Sequence, residues 1–243
     1  MIQQTLLAQK QLAPFYHSDF VKSQIQNYRI MTPEYIDKPY TAIDVGGGFG
    51  YFAETLRATE NVKVRVIDSD PVSIAACREK GLDARLGDAL KPQLTGDEDV
   101  VCFNLILHHL VSNTASGTTK MQKAALLAWK ENAKLIFVDE YIYDSYLGDM
   151  SGWLIYFITS SRHLSAVARA ISRYITSLSA NTFFVGVRFR SRNSWLKLFE
   201  SIGYNTLVEI RGSEETVSLA RRLLLIKSCR RDAFLLKRNT SAS

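Results

Sequence analysis

The chain has 243 residues, 47% of them hydrophobic and 22% charged, which is typical of a globular protein that buries a core without cross-links. Its three cysteines are far apart and no Cys-x-x-Cys pair occurs, which argues against a disulfide framework and a zinc site. The net charge of +6 is uneven, since residues 150–199 hold seven basic and no acidic residues, and this predicts a separate role for that stretch.

The N-terminal region has no charged segment followed by a long apolar core, so we predict no secretory signal peptide. The apolar stretch at 153–158 is far shorter than the roughly 20 residues that a membrane-spanning helix needs. Together with the cysteine usage, these features predict a cytoplasmic protein. Residues 1–39 are predicted to be a polar helical segment that forms part of a cap.

From residue 40 onward, short apolar runs alternate with helical stretches, which is typical of βαβ units. The run at 99–107 is almost continuously apolar, as in parallel strands that are covered on both faces. The sequence therefore predicts an α/β fold with a doubly wound, mostly parallel seven-stranded sheet. The predicted strands are 41–45, 62–67, 84–86, 99–107, 134–138, 205–210 and 222–227, and the predicted helices are 51–59, 71–80, 119–129 and 194–202.

The strand–helix rhythm breaks at residues 141–190, which are long, helical and rich in serine and arginine. We therefore predict four parts: the segment 1–39, an α/β core over 40–140, a basic helical insert over 141–190, and a C-terminal part over 191–233. The last part would contain a helix and the final two strands, with a frayed tail after Phe234. The insert is predicted to cap a binding pocket.

Three glycines, Gly46, Gly48 and Gly50, follow the first predicted strand, where glycine permits a sharp turn and close approach of a ligand to backbone N–H groups. A dinucleotide fingerprint would need a further glycine at Tyr51, so the spacing differs from that motif. Asp68 ends the second strand about 20 residues further on, where a carboxylate can bind both ribose hydroxyls. Asp70, directly before a proline, is predicted to be a helix cap instead.

The successive runs IDVGGGFG, VIDSD, GDAL and DVVCFNLILHHL, within residues 40–140, resemble a class I S-adenosylmethionine-dependent methyltransferase. This resemblance implies a Rossmann-like fold and S-adenosylmethionine as cofactor. By position, it implies that Gly46, Gly48 and Gly50 form the cofactor loop and that Asp68 binds the ribose. It further implies roles for four other residues: support of the loop and amino acid portion by Asp44, adenine contacts from Asp88 and Ala89, and a contact to the methionyl part from Asn104.

Catalytic candidates follow the fourth and fifth strands. His108 and His109 have a side chain that can remove a proton from an acceptor at neutral pH, and His109 is the favoured one of the two. Asp139 and Glu140 could supply a base or half of a metal site, but no third ligand is evident, so we predict no metal.

The leading hypothesis is methyl transfer to oxygen or nitrogen of a small-molecule acceptor. In the insert, Arg162, Arg169 and Arg173 could meet an anionic acceptor or lipid headgroups, and the stretch 153–158 could lie on a membrane surface. An RNA methyltransferase is the second hypothesis, because the chain is basic and carries arginines at 188, 190 and 192. A nicotinamide-dependent oxidoreductase and a catalytically silent cofactor-binding protein are the remaining alternatives.

Overall fold

A computed structural model of the protein describes residues 18–239, and over this range the chain folds into one sheet with helices on both faces. Of the predicted N-terminal helical segment, residues 1–17 lie outside the described residues, and helix α1 occupies Ser18–Met31.

The strands are β1 (Tyr40–Val45), β2 (Val62–Asp68), β3 (Asp83–Leu86), β4 (Val100–Asn104), β5 (Leu135–Ser145), β6 (Tyr204–Arg211) and β7 (Ile226–Arg238). The helices after α1 are α2 (Tyr51–Thr59), α3 (Pro71–Glu79), α4 (Ala115–Leu127), α5 (Met150–Ser160), α6 (Arg162–Ser172), α7 (Arg192–Ser201) and α8 (Leu219–Arg222). Two short 3₁₀ helices lie at Leu107–His109 and Thr176–Leu178.

The strand order is β3-β2-β1-β4-β5-β7-β6, and only β7 runs antiparallel to its neighbours. The predicted doubly wound, mostly parallel sheet of seven strands is therefore confirmed. The chain moves outward from β1 to β3 and then returns to place β4 on the other side of β1. In sheets of this kind, ligands bind at the carboxyl ends of the strands where this reversal occurs, here at β1 and β4.

Two apolar layers cover the sheet, one on each face. On one face α1, α2 and α3 pack through buried residues that include Tyr28, Leu56 and Cys77. On the other face α4 and α7 pack through residues that include Leu126 and Trp195. Because β1, β4 and the first half of β5 are covered on both sides, consecutive residues are buried in each of them, rather than every second residue.

Strand β4 ends at Asn104, so the predicted strand over 99–107 is too long. Leu105 has a φ of +56°, which strand geometry does not allow, and its N–H donates to the carbonyl of Asp139. The chain then turns into the 3₁₀ helix Leu107–His109. The two histidines therefore lie on a short helix that folds back over the strand ends.

The end of the sheet differs most from the prediction. The predicted strand at 222–227 is wrong, because residues there close helix α8 and the last strand is Ile226–Arg238. The predicted frayed tail after Phe234 is also wrong up to Arg238, since this part of β7 lies between β5 and β6. Pairing with β7 also explains why β5 continues to Ser145, well past the predicted end at 138.

The insert follows β5, forms the two helices α5 and α6, and then returns to pack along the end of β5. We call residues 186–190 the return segment. Its Arg190 carbonyl accepts from the Tyr143 N–H of β5 at 3.0 Å, and its Arg188 N–H donates to the His108 carbonyl at 2.8 Å. None of the helices between residues 18 and 239 combines the length and apolar content that crossing a bilayer requires. The division of the chain into core, insert and C-terminal part remains a prediction.

Candidate functional site

The glycine turn joins β1 to α2 at the predicted binding edge. Gly46, Gly48 and Gly50 all have positive φ angles, of +68°, +53° and +73°. A Cβ at Gly46 would lie 2.0 Å from Cδ1 of Ile106, so this position requires glycine sterically as well as conformationally. Gly50 caps α2 without a side-chain hydrogen bond, and the positive end of this helix therefore faces the turn without a side-chain acceptor.

Asp68 holds the turn in place from the end of β2. Its Oδ2 accepts from the Gly48 N–H at 2.9 Å and its Oδ1 accepts from the Asp70 N–H at 2.8 Å. Burial raises the pKa of this carboxyl. Asp70 itself accepts from Val72 and Ser73 at the start of α3, which confirms its predicted role as a helix cap.

Asp44 and Asn104 meet across the adjacent ends of β1 and β4. The Asn104 side-chain amide donates to Asp44 Oδ1 at 3.0 Å. The other two oxygens of this pair, Asp44 Oδ2 and Asn104 Oδ1, are buried and have no hydrogen-bond partner among residues 18–239. Burial raises the pKa of Asp44 to about 7, against the effect of the bond from Asn104. Two unpaired buried acceptors side by side fit a ligand group that carries several N–H donors, such as an ammonium.

Asp88 and Ala89 lie in the turn after β3, next to the end of β2. The Gly87 N–H donates to the Asp68 carbonyl at 2.9 Å, which ties this turn to the Asp68 strand end. Asp88 Oδ1 accepts from the Leu90 N–H at 2.8 Å, and its side chain is exposed, whereas Ala89 is half-buried. The structure thus places these two residues at the same sheet edge as the glycine turn.

His108 is buried and held by a carboxylate. Its Nδ1 lies 2.7 Å from Glu140 Oε2, while Glu140 Oε1 accepts from the Leu107 N–H at 2.7 Å. The ring also stacks on Phe189 of the return segment at 4.8 Å between centroids. Burial lowers the pKa of His108 to about 3 and raises that of Glu140 to about 8, so the pair retains a single shared proton near neutral pH.

His109 lies beside this pair, with its ring centroid 4.2 Å from that of His108. The residue is half-buried, and its Nδ1 is buried without a hydrogen-bond partner in the described part of the chain. Burial, and secondarily His108, lower its pKa well below the usual value. The imidazole is therefore neutral at physiological pH, with a lone pair on one ring nitrogen, and it is a weaker base than an exposed imidazole.

Asp139 and Glu140 do not form a joint site, because consecutive strand residues point to opposite faces. Asp139 lies on the α1 face, and burial there raises its pKa to about 6. The two carboxylates therefore do not converge on one point. Once residues 139–142 are recognised as part of a strand, the alternation of side chains places Asp139 and Tyr141 on one face and Glu140 and Ile142 on the other.

Two arginines of the return segment are interior residues. Arg188 pairs with Asp149 and stacks over Trp153 with its guanidinium 4.0 Å from the ring centroid. Arg190 is also buried, and its Nε donates to Gln122 at 2.8 Å. The prediction that these arginines contact nucleic acid phosphates is wrong for both, because both guanidinium groups are buried and bound to partners inside the protein.

No protein-family profile matches the chain. A relative, trans-aconitate 2-methyltransferase of Mycobacterium tuberculosis, is 30% identical over 82 residues, which are 33% of this chain and 31% of that protein. The match thus spans about a third of the relative. Among solved structures, a Haemonchus contortus N-methyltransferase bound to phosphomonomethylethanolamine and S-adenosylhomocysteine is similar over 90% of this chain and 53% of its own, with 9% identity and a TM-score of 0.57. The chain therefore has the fold of the class I methyltransferases.

The class I methyltransferase fold also occurs in the cyclase SpnF, which covers 90% of this chain and 80% of its own, with 12% identity and a TM-score of 0.60. The fold is thus shared by proteins that are named for different reactions, a cyclisation and a methyl transfer. The activity of the present chain has to be argued from its own side chains.

The buried pair of Glu140 and His108 predicts a pH dependence of the protein's stability. In the unfolded chain these groups lose their protons near pH 4.5 and 6.5, whereas the folded pair keeps one proton up to about pH 8. The pair's contribution to the free energy of unfolding should therefore fall by about 1.4 kcal/mol per pH unit as the pH rises from 6.5 to 8.

Glu140→Gln should remove this slope, because glutamine does not titrate and can still hydrogen-bond to His108. The check is the free energy of unfolding from urea titrations at several pH values, compared between the wild type and Glu140→Gln. Glu214→Gln is the matched control, since Glu214 pairs with Arg211 on the surface. Parallel pH curves for the wild type and Glu140→Gln would contradict the shared proton.

Proposed function

We propose that this protein transfers the methyl group of S-adenosylmethionine to an oxygen or nitrogen atom of an anionic small molecule. The observation that carries the proposal is the pair of unpaired, buried oxygens of Asp44 and Asn104 beside the glycine turn. Such acceptors suit the ammonium of an amino acid group, and Asp68 stands one strand away, where a ribose would need a carboxylate.

The residues present fit this cofactor in the following way. The backbone at Gly46, Gly48 and Gly50 would contact the amino acid portion, while Asp44 and Asn104 accept from its ammonium. Asp68 would accept from the ribose hydroxyls, and Asp88 with Ala89 would border the adenine. When bound, S-adenosylmethionine supplies a methyl group on a positively charged sulfur, which leaves readily when a nucleophile approaches in line.

The protein's own contribution to the transfer is to position the acceptor and to remove its proton. A neutral His109 would accept that proton, and the contact with Glu140 would keep His108 fixed beside it. Burial of these groups would also exclude water.

Two comparisons support an anionic small molecule as the acceptor class. The relative with the aligned segment is named for trans-aconitate, and the N-methyltransferase of the same fold was solved with a phosphorylated amine. We also propose a cytoplasmic location, which the three buried free cysteines support.

The first experiment is isothermal titration of the purified protein with S-adenosylhomocysteine, with NAD as the control. Binding of S-adenosylhomocysteine alone is expected, and binding of NAD alone would favour the oxidoreductase hypothesis. The second is transfer of a labelled methyl group to a panel of small carboxylates and phosphates and to total RNA. Label in RNA alone would overturn the proposed acceptor class, and binding without transfer to any acceptor would favour a silent cofactor-binding protein.

A further inference from the structure

Helix α6 carries an apolar stripe that faces away from the protein. Leu164, Val167 and Ile171 are spaced three and four residues apart, so they share one side of the helix, and all three are exposed. Ser165 is the buried residue of this helix. A helix that packed on the core would bury its apolar side, and α6 does the opposite.

The exposed apolar surface continues beyond α6. Tyr174, directly after the helix, is 90% exposed, and Ile175 is exposed as well. The next turn, Thr176–Leu178, packs against both α6 and α8, and α8 brings Leu219 and Leu223, each 82% exposed. We call the seven residues Leu164, Val167, Ile171, Tyr174, Ile175, Leu219 and Leu223 the apolar patch. Clusters of large exposed apolar side chains mark surfaces that bind another molecule or a membrane.

Basic side chains accompany the apolar patch. Arg162, Arg169 and Arg173 are spaced seven and four residues apart and therefore share the polar side of α6. All three are exposed, and none forms an ion pair with any residue between 18 and 239. Arg222 adds a fourth exposed arginine on α8. Since residues 150–199 contain no acidic side chain, α6 and the turn after it contribute only positive charge to this surface.

We propose that the apolar patch docks on an anionic lipid surface, with α6 lying in the plane of the headgroups. An exposed apolar stripe and an arginine-rich polar side on one helix are the combination that binds such surfaces. Charge complementarity selects anionic lipid as the occupant. The predicted membrane contact at 153–158 is thereby relocated, because Trp153 lies against Arg188 and Tyr156 is buried.

The test is co-sedimentation of the full chain with vesicles of phosphatidylcholine alone and of phosphatidylcholine mixed with phosphatidylglycerol. The wild type is expected to sediment with the mixed vesicles and to be released by salt. The double variant Val167→Glu/Ile171→Glu should bind about 100-fold more weakly, because two apolar side chains no longer enter the lipid. Arg169→Gln/Arg173→Gln should weaken binding to mixed vesicles about fivefold per arginine.

Leu127→Glu is the matched control, since Leu127 is an exposed apolar residue on α4, outside the patch, and its substitution should leave vesicle binding unchanged. Circular dichroism of each variant shows whether it is folded. Equal binding of the wild type and the Val167→Glu/Ile171→Glu protein, or no binding to mixed vesicles, would overturn the proposal. So would a dimer in size-exclusion chromatography that the same double variant dissociates, because a second copy would then cover the patch. The assay reads lipid binding directly and does not depend on methyl transfer.

Discussion

Asp68→Ala is expected to weaken binding of S-adenosylhomocysteine by at least about 100-fold while leaving the sheet intact. The carboxylate would lose two hydrogen bonds to the ribose, each worth about 1.5 kcal/mol or more because the acceptor is charged, and about 3 kcal/mol corresponds to this factor. The Gly48 N–H would also lose its acceptor, which loosens the glycine turn. Isothermal titration measures the affinity, and thermal unfolding followed by circular dichroism reports on the fold.

Asp70→Ala is the matched control for this change, because Asp70 is also an aspartate and lies two residues away. Its carboxylate caps α3, so we expect a loss of about 1 kcal/mol in stability and little change in affinity. If Asp68→Ala bound S-adenosylhomocysteine as tightly as the wild type, the ribose would have to be held elsewhere, and the assignment of the binding edge would fail.

His109→Ala is expected to slow methyl transfer at least about 100-fold, the lower end of the contribution of a general base. Cofactor affinity should change little, because the proposed cofactor contacts lie at Asp44, Asp68 and Asn104. Single-turnover rates with a labelled methyl group measure the first quantity, and titration with S-adenosylhomocysteine measures the second. Since the pKa of His109 is lowered, the wild-type rate should not fall between about pH 7 and 6, as it would for an ordinary imidazole.

His163→Ala is the corresponding control, because His163 is exposed on α6 and should not affect either quantity. An unchanged transfer rate in His109→Ala would remove this imidazole from the mechanism. A parallel loss of rate and cofactor affinity would show instead that the ring supports the binding site as a whole.

The parallel half of the fold was predictable because its signals are local. The β1 run is followed by glycine, β2 has valines at alternate positions and ends at aspartate, β3 is followed by glycine, and each helix between them begins or ends next to a proline or glycine. The antiparallel half was not, because its strands are defined by long-range pairing. The charged run that includes Arg230, Arg231 and Asp232 does not resemble a strand, yet it lies in the middle of β7, where the neighbours β5 and β6 and internal ion pairs stabilise it.

The site was predictable residue by residue but not as pairs. Asp44 and Asn104 were identified separately from the resemblance, whereas their direct hydrogen bond depends on the register between β1 and β4. The contact between His108 and Glu140 was missed for the same reason, since the two residues are 32 positions apart and meet only when the 3₁₀ helix folds back over β5. A single sequence does not show which residues of neighbouring strands lie next to each other.

The return segment of the insert has a mechanical consequence. Its backbone is bonded to His108, and the ring of Phe189 is sandwiched between His108 and Tyr143, with centroid distances of 4.8 and 4.3 Å. Movement of the return segment away from the sheet would break its hydrogen bond to His108 and the aromatic stack around Phe189. On the proposed function, small molecules would therefore enter and leave without displacement of residues 186–190, and on the proposed lipid contact α6 would engage a surface without moving His108.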